Sequence, residues 1–276
     1  MGRSWKLGTA LGIGIYVHWT FLLLVGYVLY HYWGIGGWEL ALYGLQFLLA
    51  VIGCVILHEL GHALMARRFG IGTRSITIYI IGGVARLERM SERPWEEICI
   101  ALAGPAVNVV IAIGLTLALM LSAQPAGFTP AFFNGNILFD VLAANVMLVI
   151  FNLLPAFPMD GGRVLRALLV IPYGRLRGTE IAANVGACFS VLFAVLGLKY
   201  GFSLVLIGMF AFLAGQQELA AVRYQEWRRR AAPLDVMPAD AELLDVIPVP
   251  LDESVSVRDN QAGAWVIYRN GRPVRP

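Results

Sequence analysis

Long apolar runs recur along the chain, and their lengths predict helices that span a membrane. About 20 apolar residues suffice to cross the hydrocarbon core of a bilayer. The first run covers residues 12–33 and carries aromatic residues at both ends, and the second covers about 40–69. A third extends from Pro94 to 122, and two more lie at about 179–198 and 202–222. Glycines and prolines between the runs indicate where the helices end.

A further run, the fourth in chain order, is broken. It begins near Ile137 and is interrupted by Pro155 and Pro158 before Asp160. Proline removes a backbone donor, and non-helical backbone at membrane depth is tolerated only where it faces protein or water. We therefore expect a broken helix that ends in Asp160 and aims this carboxylate inward. Asn152 precedes the break and can present its amide to a substrate.

Residues 73–89 have a different periodicity. Apolar and polar side chains alternate there with a period of two around Gly82 and Gly83, which predicts a short β-hairpin. An exposed strand edge can pair with an extended peptide, so Gly82 and Gly83 are candidate substrate-binding residues. A purely structural hairpin at the membrane interface is the alternative. The pattern as a whole predicts an all-α polytopic membrane protein with about six transmembrane helices and one membrane-associated hairpin after the second.

Composition agrees with a membrane protein. The chain is 58% hydrophobic and 14% charged, with mean hydropathy +0.70, whereas soluble domains are about a quarter charged. The net charge is only +3, and the basic residues flank apolar runs instead of forming a separate patch, so we expect no nucleic-acid partner. Cys54, Cys99 and Cys188 lie inside apolar segments and fit no disulfide or zinc pattern, which predicts small buried side chains.

The second run contains the pentapeptide HELGH. His58 and His62 lie four residues apart and share one face of a helix, where two imidazoles can hold one Zn²⁺. Glu59 follows the first of them and is placed to move protons at a metal-bound water. Ionisable residues in a hydrocarbon-length segment are costly and are candidates for a functional site. The alternative is a pair of packed core histidines beside a salt-bridged glutamate.

Asp160 is the candidate third ligand. Two histidines and one aspartate leave the fourth tetrahedral position open, which is typical of catalytic zinc, so we expect one Zn²⁺ per chain. Glu59, next to the first ligand, would handle the protons of a metal-bound water. The alternative for Asp160 is an interfacial acid paired with Arg163 or Arg166.

Two other polar residues lie within predicted helices. Asn108 follows the small residue Gly104 in the third run and needs a partner in hydrocarbon. A hydrogen bond between helices and a supporting contact to the metal ligands are equally good explanations. His18 is predicted to be an interfacial or hydrogen-bonded histidine rather than a ligand.

Basic residues predict the topology. They concentrate near the N-terminus, between the second and third runs, after Asp160 and after the sixth run, whereas the predicted outer loops keep only Lys199. The positive-inside rule then places both termini in the cytoplasm and the site in the cytoplasmic half of the membrane. We divide the chain into a membrane domain of residues 1–225 and a cytoplasmic tail of residues 226–276. A small β-element around 264–268 or disorder is expected in the tail.

Four stretches together resemble the site-2 protease family of intramembrane zinc metalloproteases. They are HELGH at 58–62, Gly82-Gly83, AGPxxN at 103–108 and NLLPAFPMDGG at 152–162. The resemblance covers about residues 10–222. It implies zinc binding by His58, His62 and Asp160, acid/base catalysis by Glu59, and substrate or oxyanion contact by Asn152.

The expected function is hydrolysis of peptide bonds within or near transmembrane segments of membrane-anchored proteins in the cell membrane. The partners would be a transmembrane protein substrate and the lipid bilayer, and neither the substrate nor the oligomeric state is specified by the sequence. A metal-binding membrane transporter or sensor is one rival, but the last two runs offer no metal ligand to the site. A catalytically silent scaffold is the other, and the complete set of catalytic residues speaks against it.

Overall fold

The protein is described from a computed structural model covering residues 4–80, 82–89, 91, 93–122, 135–231, 255–259, 265–269 and 272–273. It divides into two compact units, Met1–Arg230 and Ala231–Pro276. The helices are α1 Thr20–Arg68, α2 Pro94–Leu121, α3 Ile137–Asn152, α4 Asp160–Tyr173, α5 Arg175–Tyr200 and α6 Phe202–Ala231. The strands are β1 Ser4–Ala10, β2 Ile13–His18, β3 Thr73–Tyr79, β4 Gly82–Leu87, β5 Val255–Asp259, β6 Trp265–Arg269 and β7 Arg272–Pro273.

The prediction of a mostly helical membrane protein is confirmed. Among the described residues, four helices are long and apolar enough to cross a membrane: α1, α2, α5 and the Phe202–Trp227 part of α6. α3 is apolar but shorter. α1 has 49 residues and departs from helical geometry at Gly36 and Gly37, where φ of Gly37 is +71°. This kink separates the first predicted run from the second.

The first predicted helix starts too early. Residues 13–18 form β2 instead, and α1 begins at Thr20. His18 ends β2, and its Nδ1 lies 2.9 Å from the Thr20 hydroxyl, so it is a hydrogen-bonded histidine, as predicted. A short apolar run does not reveal by periodicity alone whether it is strand or helix.

The predicted hairpin is confirmed as β3 and β4, but it belongs to a larger sheet. The four strands lie in the order β1-β2-β3-β4, with β2 and β3 parallel and the other two pairs antiparallel. Ile76 and Ile78 of β3 are fully buried and belong to one apolar cluster with Leu60 and Ala63 of α1. The sheet therefore packs on the helix turn that carries HELGH.

The broken fourth run is also confirmed, with one correction. α3 ends at Asn152, an irregular segment follows, and Asp160 is the first residue of α4 instead of the last residue of a broken helix. The backbone N–H of Gly162 donates to the Met159 carbonyl at 3.1 Å as α4 begins.

The second unit contains a three-stranded sheet in the order β5-β6-β7. Strand β6 corresponds to the β-element predicted around 264–268, and the rest of the predicted tail lies largely outside the described residues. The cysteine prediction is right only for Cys54, because Cys99 and Cys188 are exposed on their helices. Side chains of spanning helices face lipid as well as protein, so an apolar segment does not imply a buried side chain.

Candidate metal centre

Three side chains from two helices converge within the first unit. His58 Nε2 and His62 Nε2 of α1 lie 3.0 Å apart, and they lie 3.2 Å and 3.1 Å from Oδ2 of Asp160 on α4. All three residues are buried, with 5–7% of their surface exposed. The structure thus brings together the three predicted ligands, which form a group that could hold a metal ion.

The orientation of His62 is set by a backbone atom. Its Nδ1 lies 2.7 Å from the carbonyl oxygen of Ile100 on α2. A carbonyl only accepts, so Nδ1 carries the proton and the lone pair of a neutral His62 lies on Nε2. This lone pair points at the Asp160 carboxylate, an arrangement that calls for a cation. A histidine that binds a metal through one ring nitrogen usually donates the N–H of the other ring nitrogen to an acceptor of this kind.

Asp160 is held by the glycines that follow it. A Cβ on Gly162 would stand 2.6 Å from the carbonyl carbon of Ala156, and one on Gly161 would collide with the carbonyl groups of Leu153 and Leu154. The start of α4 therefore packs directly on the backbone of the preceding irregular segment. A carboxylate in the first turn of a helix is also favoured by the helix dipole.

Helices α1 and α2 approach closely around the site because two glycines face the contact. A Cβ on Gly61 would stand 2.8 Å from the carbonyl oxygen of Ala103. A Cβ on Gly104 would stand 2.7 Å from His58 Nε2 and would also collide with the ring of His62. Gly104 therefore leaves the space that the two imidazole rings occupy.

The donor set fits zinc. Ligand atoms around a tetrahedral Zn²⁺ lie about 3.3 Å apart, because each lies 2.0–2.1 Å from the ion. The three distances of 3.0–3.2 Å are within a few tenths of an ångström of that value. Two imidazoles and one carboxylate are ligands that zinc prefers, and three protein ligands leave one position for water or substrate.

Glu59 lies between the metal ligands and strand β4. A Cβ on Gly83 would stand 3.0 Å from Cγ of Glu59, and the Glu59 carboxyl lies beside the backbone of Ala85. Glu59 is half-buried. The residue next to a metal ligand on α1 thus faces the strand that was predicted to hold substrate.

Comparison with known proteins decides the family. The sequence pattern of peptidase family M50 matches residues 46–143 and 134–193. A zinc metalloprotease of Methanocaldococcus jannaschii is 32% identical over 243 residues, which cover 86% of this chain and 67% of that protein. The chain belongs to peptidase family M50.

Further relatives and a solved structure agree. The site-2 protease from Methanocaldococcus jannaschii matches with a TM-score of 0.59 and 33% identity, covering 79% of this chain and 95% of that one. Relatives from Synechocystis and Mycobacterium tuberculosis, whose names also place them among zinc metalloproteases, are 33% and 30% identical over 76% and 84% of this chain. The chain spans 56% and 63% of the lengths of those two relatives. Together these findings support an intramembrane zinc metalloprotease of the M50 family.

The other predicted site residues differ in how they relate to this candidate metal centre. Gly83 lies against Glu59, whereas Gly82 begins β4 with φ +130° and has no atom of the described residues within 4 Å of where a Cβ would stand. Asn152 is the last residue of α3 and half-buried, and within the described part of the chain no hydrogen bond links it to the three ligands.

Asn108 is fully buried on α2, one helical turn after Gly104. Neither of its amide atoms has a partner among the described residues. The helix–helix hydrogen bond considered for this residue is therefore absent from the described residues, and support of the metal ligands stays a prediction.

One buried ionic cluster was missed in the sequence. Arg166 of α4 is 5% exposed and pairs with Glu97 of α2 and Glu218 of α6, with its Nε 3.0 Å from Glu97 Oε1. Arg166 is thus engaged away from Asp160, and no ion pair joins Arg163 to Asp160 within the described ranges. The predicted alternative for Asp160, an interfacial acid paired with one of these arginines, finds no support.

Proposed function

We propose that the chain hydrolyses peptide bonds within or near transmembrane segments of membrane-anchored proteins in the cell membrane. The observation that carries the proposal is the convergence of His58, His62 and Asp160 at 3.0–3.2 Å, with Glu59 beside them on a helix long enough to span a membrane. His58 and His62 would hold one Zn²⁺ through Nε2, and Asp160 would hold it through Oδ2.

The bound ion would supply Lewis-acid chemistry, polarising the scissile carbonyl and making water a better nucleophile. Glu59 would take the proton from the attacking water and return it to the nitrogen of the leaving amine. Its place between His58 and strand β4 supports this role, because a peptide lying along β4 would have its carbonyls near both groups. Asp160 would stay ionised and hold its place at the start of α4.

Substrate would bind as an added strand. β4 pairs only with β3 among the described strands, so its second edge is available to an extended peptide. Gly82 and Gly83 have no side chains to keep a second backbone away from that edge. Asn152 would donate its amide to the substrate or the developing oxyanion. A helical substrate must unwind locally first, because its carbonyls are engaged in backbone hydrogen bonds.

We further propose six membrane crossings: the two parts of α1 on either side of the kink, α2, α3, α5 and α6. With these crossings, the positive-inside rule would put both termini in the cytoplasm. His58 lies ten residues before Arg68 at the end of α1, about 15 Å along the helix axis, which supports a site in the cytoplasmic half. The membrane domain would comprise residues 1–225 and the tail residues 226–276.

The test is cleavage of a single-span membrane protein by purified enzyme in vesicles. Glu59→Gln should lower the turnover rate by about 10²–10⁴-fold, because it removes the general base, and should keep the bound zinc. Glu39→Gln, at an exposed acid on the same helix, is the matched control and should cleave as the wild type does. Undiminished cleavage by Glu59→Gln would rule out this mechanism, and zinc transport without cleavage would favour the transporter.

A further inference from the structure

A basic cavity of about 630 Å³ opens between strand β4 and the start of helix α4. The residues that matter for its charge and position are Arg74, Arg86, Arg89, Arg163, Glu88 and Ala85. Four arginines and one glutamate therefore line a shared space. The cavity keeps a net positive charge next to the proposed catalytic centre.

Among the described residues, these four arginines have no ion-pair partner. Elsewhere in the described chain, Arg93, Arg166 and Arg223 each pair with a glutamate. None of the four cavity arginines makes an ion pair with a described residue, and Nε of Arg163 is buried with no hydrogen-bond partner there. A buried, unpartnered N–H of a charged side chain is costly, so Nε of Arg163 is suited to an incoming anion, and the exposed Arg74, Arg86 and Arg89 add positive charge around it.

Glu88 is the one acidic residue among the described residues that line the cavity, and its carboxylate lies over Gly72. A Cβ on Gly72 would stand 2.5 Å from Oε2 of Glu88. Glu88 is exposed and forms no ion pair with a described arginine. It therefore leaves the guanidinium groups free to bind a carboxylate, for which arginine offers two parallel N–H donors.

The cavity adjoins the catalytic centre at two points. Arg163 lies one helical turn after Asp160 on α4, and Ala85, which lines the cavity, lies beside Glu59. An extended peptide advances about 3.3 Å per residue. A peptide paired with the free edge of β4 and cut near Gly83 would therefore place a side chain beside Arg86 or Arg89 after about three to six further residues.

We propose that this cavity is a subsite that binds an acidic side chain of the substrate, three to six residues from the scissile bond on the side towards Arg89. The proposal rests on the proposed proteolytic function. A substrate side chain is favoured over a lipid headgroup because the cavity is concave, continues from the Glu59 side of β4 and is lined by the strand that would pair with substrate. The subsite would select substrates with an acidic residue on one side of the cut.

The experiment uses the full chain in vesicles of uncharged phosphatidylcholine. Substrates carry Asp, Asn or Lys at single positions within six residues on either side of the scissile bond. We expect Asp to raise kcat/KM about tenfold or more over Asn at one position, three to six residues from the cut on one side only, and Lys to lower it. Equal rates for Asp, Asn and Lys at every position would overturn the proposal.

Charge reversal shows which residues are responsible. Arg89→Glu and Arg86→Glu, at exposed positions that tolerate substitution, should reverse the preference from Asp to Lys at the same substrate position. Arg177→Glu, at an exposed arginine outside the cavity, is the matched control and should keep the preference for Asp. A preference for Asp that is unchanged in both Arg86→Glu and Arg89→Glu would overturn the assignment to this cavity.

Two further measurements separate the competing explanations. Binding of the same substrates to Glu59→Gln, followed by fluorescence anisotropy, should show the same charge preference, so the subsite can be judged even where no cleavage occurs. Vesicles with added phosphatidylglycerol test the lipid explanation. If the arginine variants alter only the response to phosphatidylglycerol and never the response to substrate charge, the cavity binds headgroups and the proposal is wrong.

Discussion

Gly104→Ala is the smallest change that should disable the metal centre. The added methyl group would stand 2.7 Å from His58 Nε2, whereas ordinary van der Waals contacts begin at 3.4 Å. The His58 imidazole or the helix must therefore move by about 0.7 Å, and the His62 ring, which lies closer still to the added methyl group, by more, while zinc ligands are held to within about 0.2 Å. Alanine favours a helix over glycine by up to about 1 kcal/mol, so α2 itself should still form. The expected result is zinc binding weakened by about 10²-fold, in a protein that still folds.

The assay is competition for zinc between the purified protein and a chelator of known affinity, with helicity followed by circular dichroism. Gly114→Ala is the matched control, because it lies on the same helix with nothing within 4 Å of the added methyl group. The control should bind zinc as the wild type does and gain slightly in stability. Wild-type zinc affinity in Gly104→Ala would refute the argument that this glycine makes room for the ligands.

Three other changes test the polar contacts. Arg166→Gln leaves two glutamates with an uncompensated charge and should lower the free energy of unfolding by about 3 kcal/mol. Arg223→Gln, at a more exposed ion pair, should lower it by at most about 1 kcal/mol. Equal unfolding midpoints of the two variants in denaturant would contradict this expectation. Tyr43→Phe removes a 2.6 Å hydrogen bond to buried Asp140 and should lower the free energy of unfolding by about 1.5–3 kcal/mol without altering the cleavage chemistry. An unchanged melting temperature would contradict this expectation. Zinc at 100 times its dissociation constant should raise the free energy of unfolding of the metal-free protein by about 2.7 kcal/mol. Calorimetry with and without chelator measures this difference. An unaltered melting temperature would contradict a zinc site in the folded state.

The metal centre could be predicted because its signals are local. The spacing of His58 and His62 places both on one helix face wherever that helix lies. The prolines before Asp160 indicate that the helix is interrupted at membrane depth. The structure brings these residues together, although they are separated by about a hundred positions. Gly104 is recognisable in the sequence only as a small residue, because its role as space for the imidazoles depends on which helix lies opposite.

Strands β1 and β2 were missed although they pair with each other locally, as an antiparallel hairpin closed at Leu11 and Gly12. Residues 13–18 also fit the start of an apolar run, and a short apolar run does not reveal by periodicity alone whether it is strand or helix. Only the parallel pairing of β2 with β3, some 60 residues later, is non-local. The hydrogen bond between His62 and Ile100 could not be predicted from the sequence either, because the acceptor is a backbone carbonyl, which every residue has. The Glu218 contact to Arg166 joins α6 to α4 and depends on how the helices pack.

The position of Arg166 explains how an aspartate after an irregular segment can serve as a metal ligand. A catalytic group must be held to within about 0.5 Å, and the segment before Asp160 is not helical. Arg166 lies six residues further along α4, about 9 Å along its axis, and ties this helix to α2 and α6 through the two glutamates. Its guanidinium also lies 5.6 Å from the ring centre of Phe157, inside the irregular segment itself. Asp160 is therefore fixed from both sides, by a buried ionic cluster on its own helix and by the packing of Gly161 and Gly162 on the backbone before it.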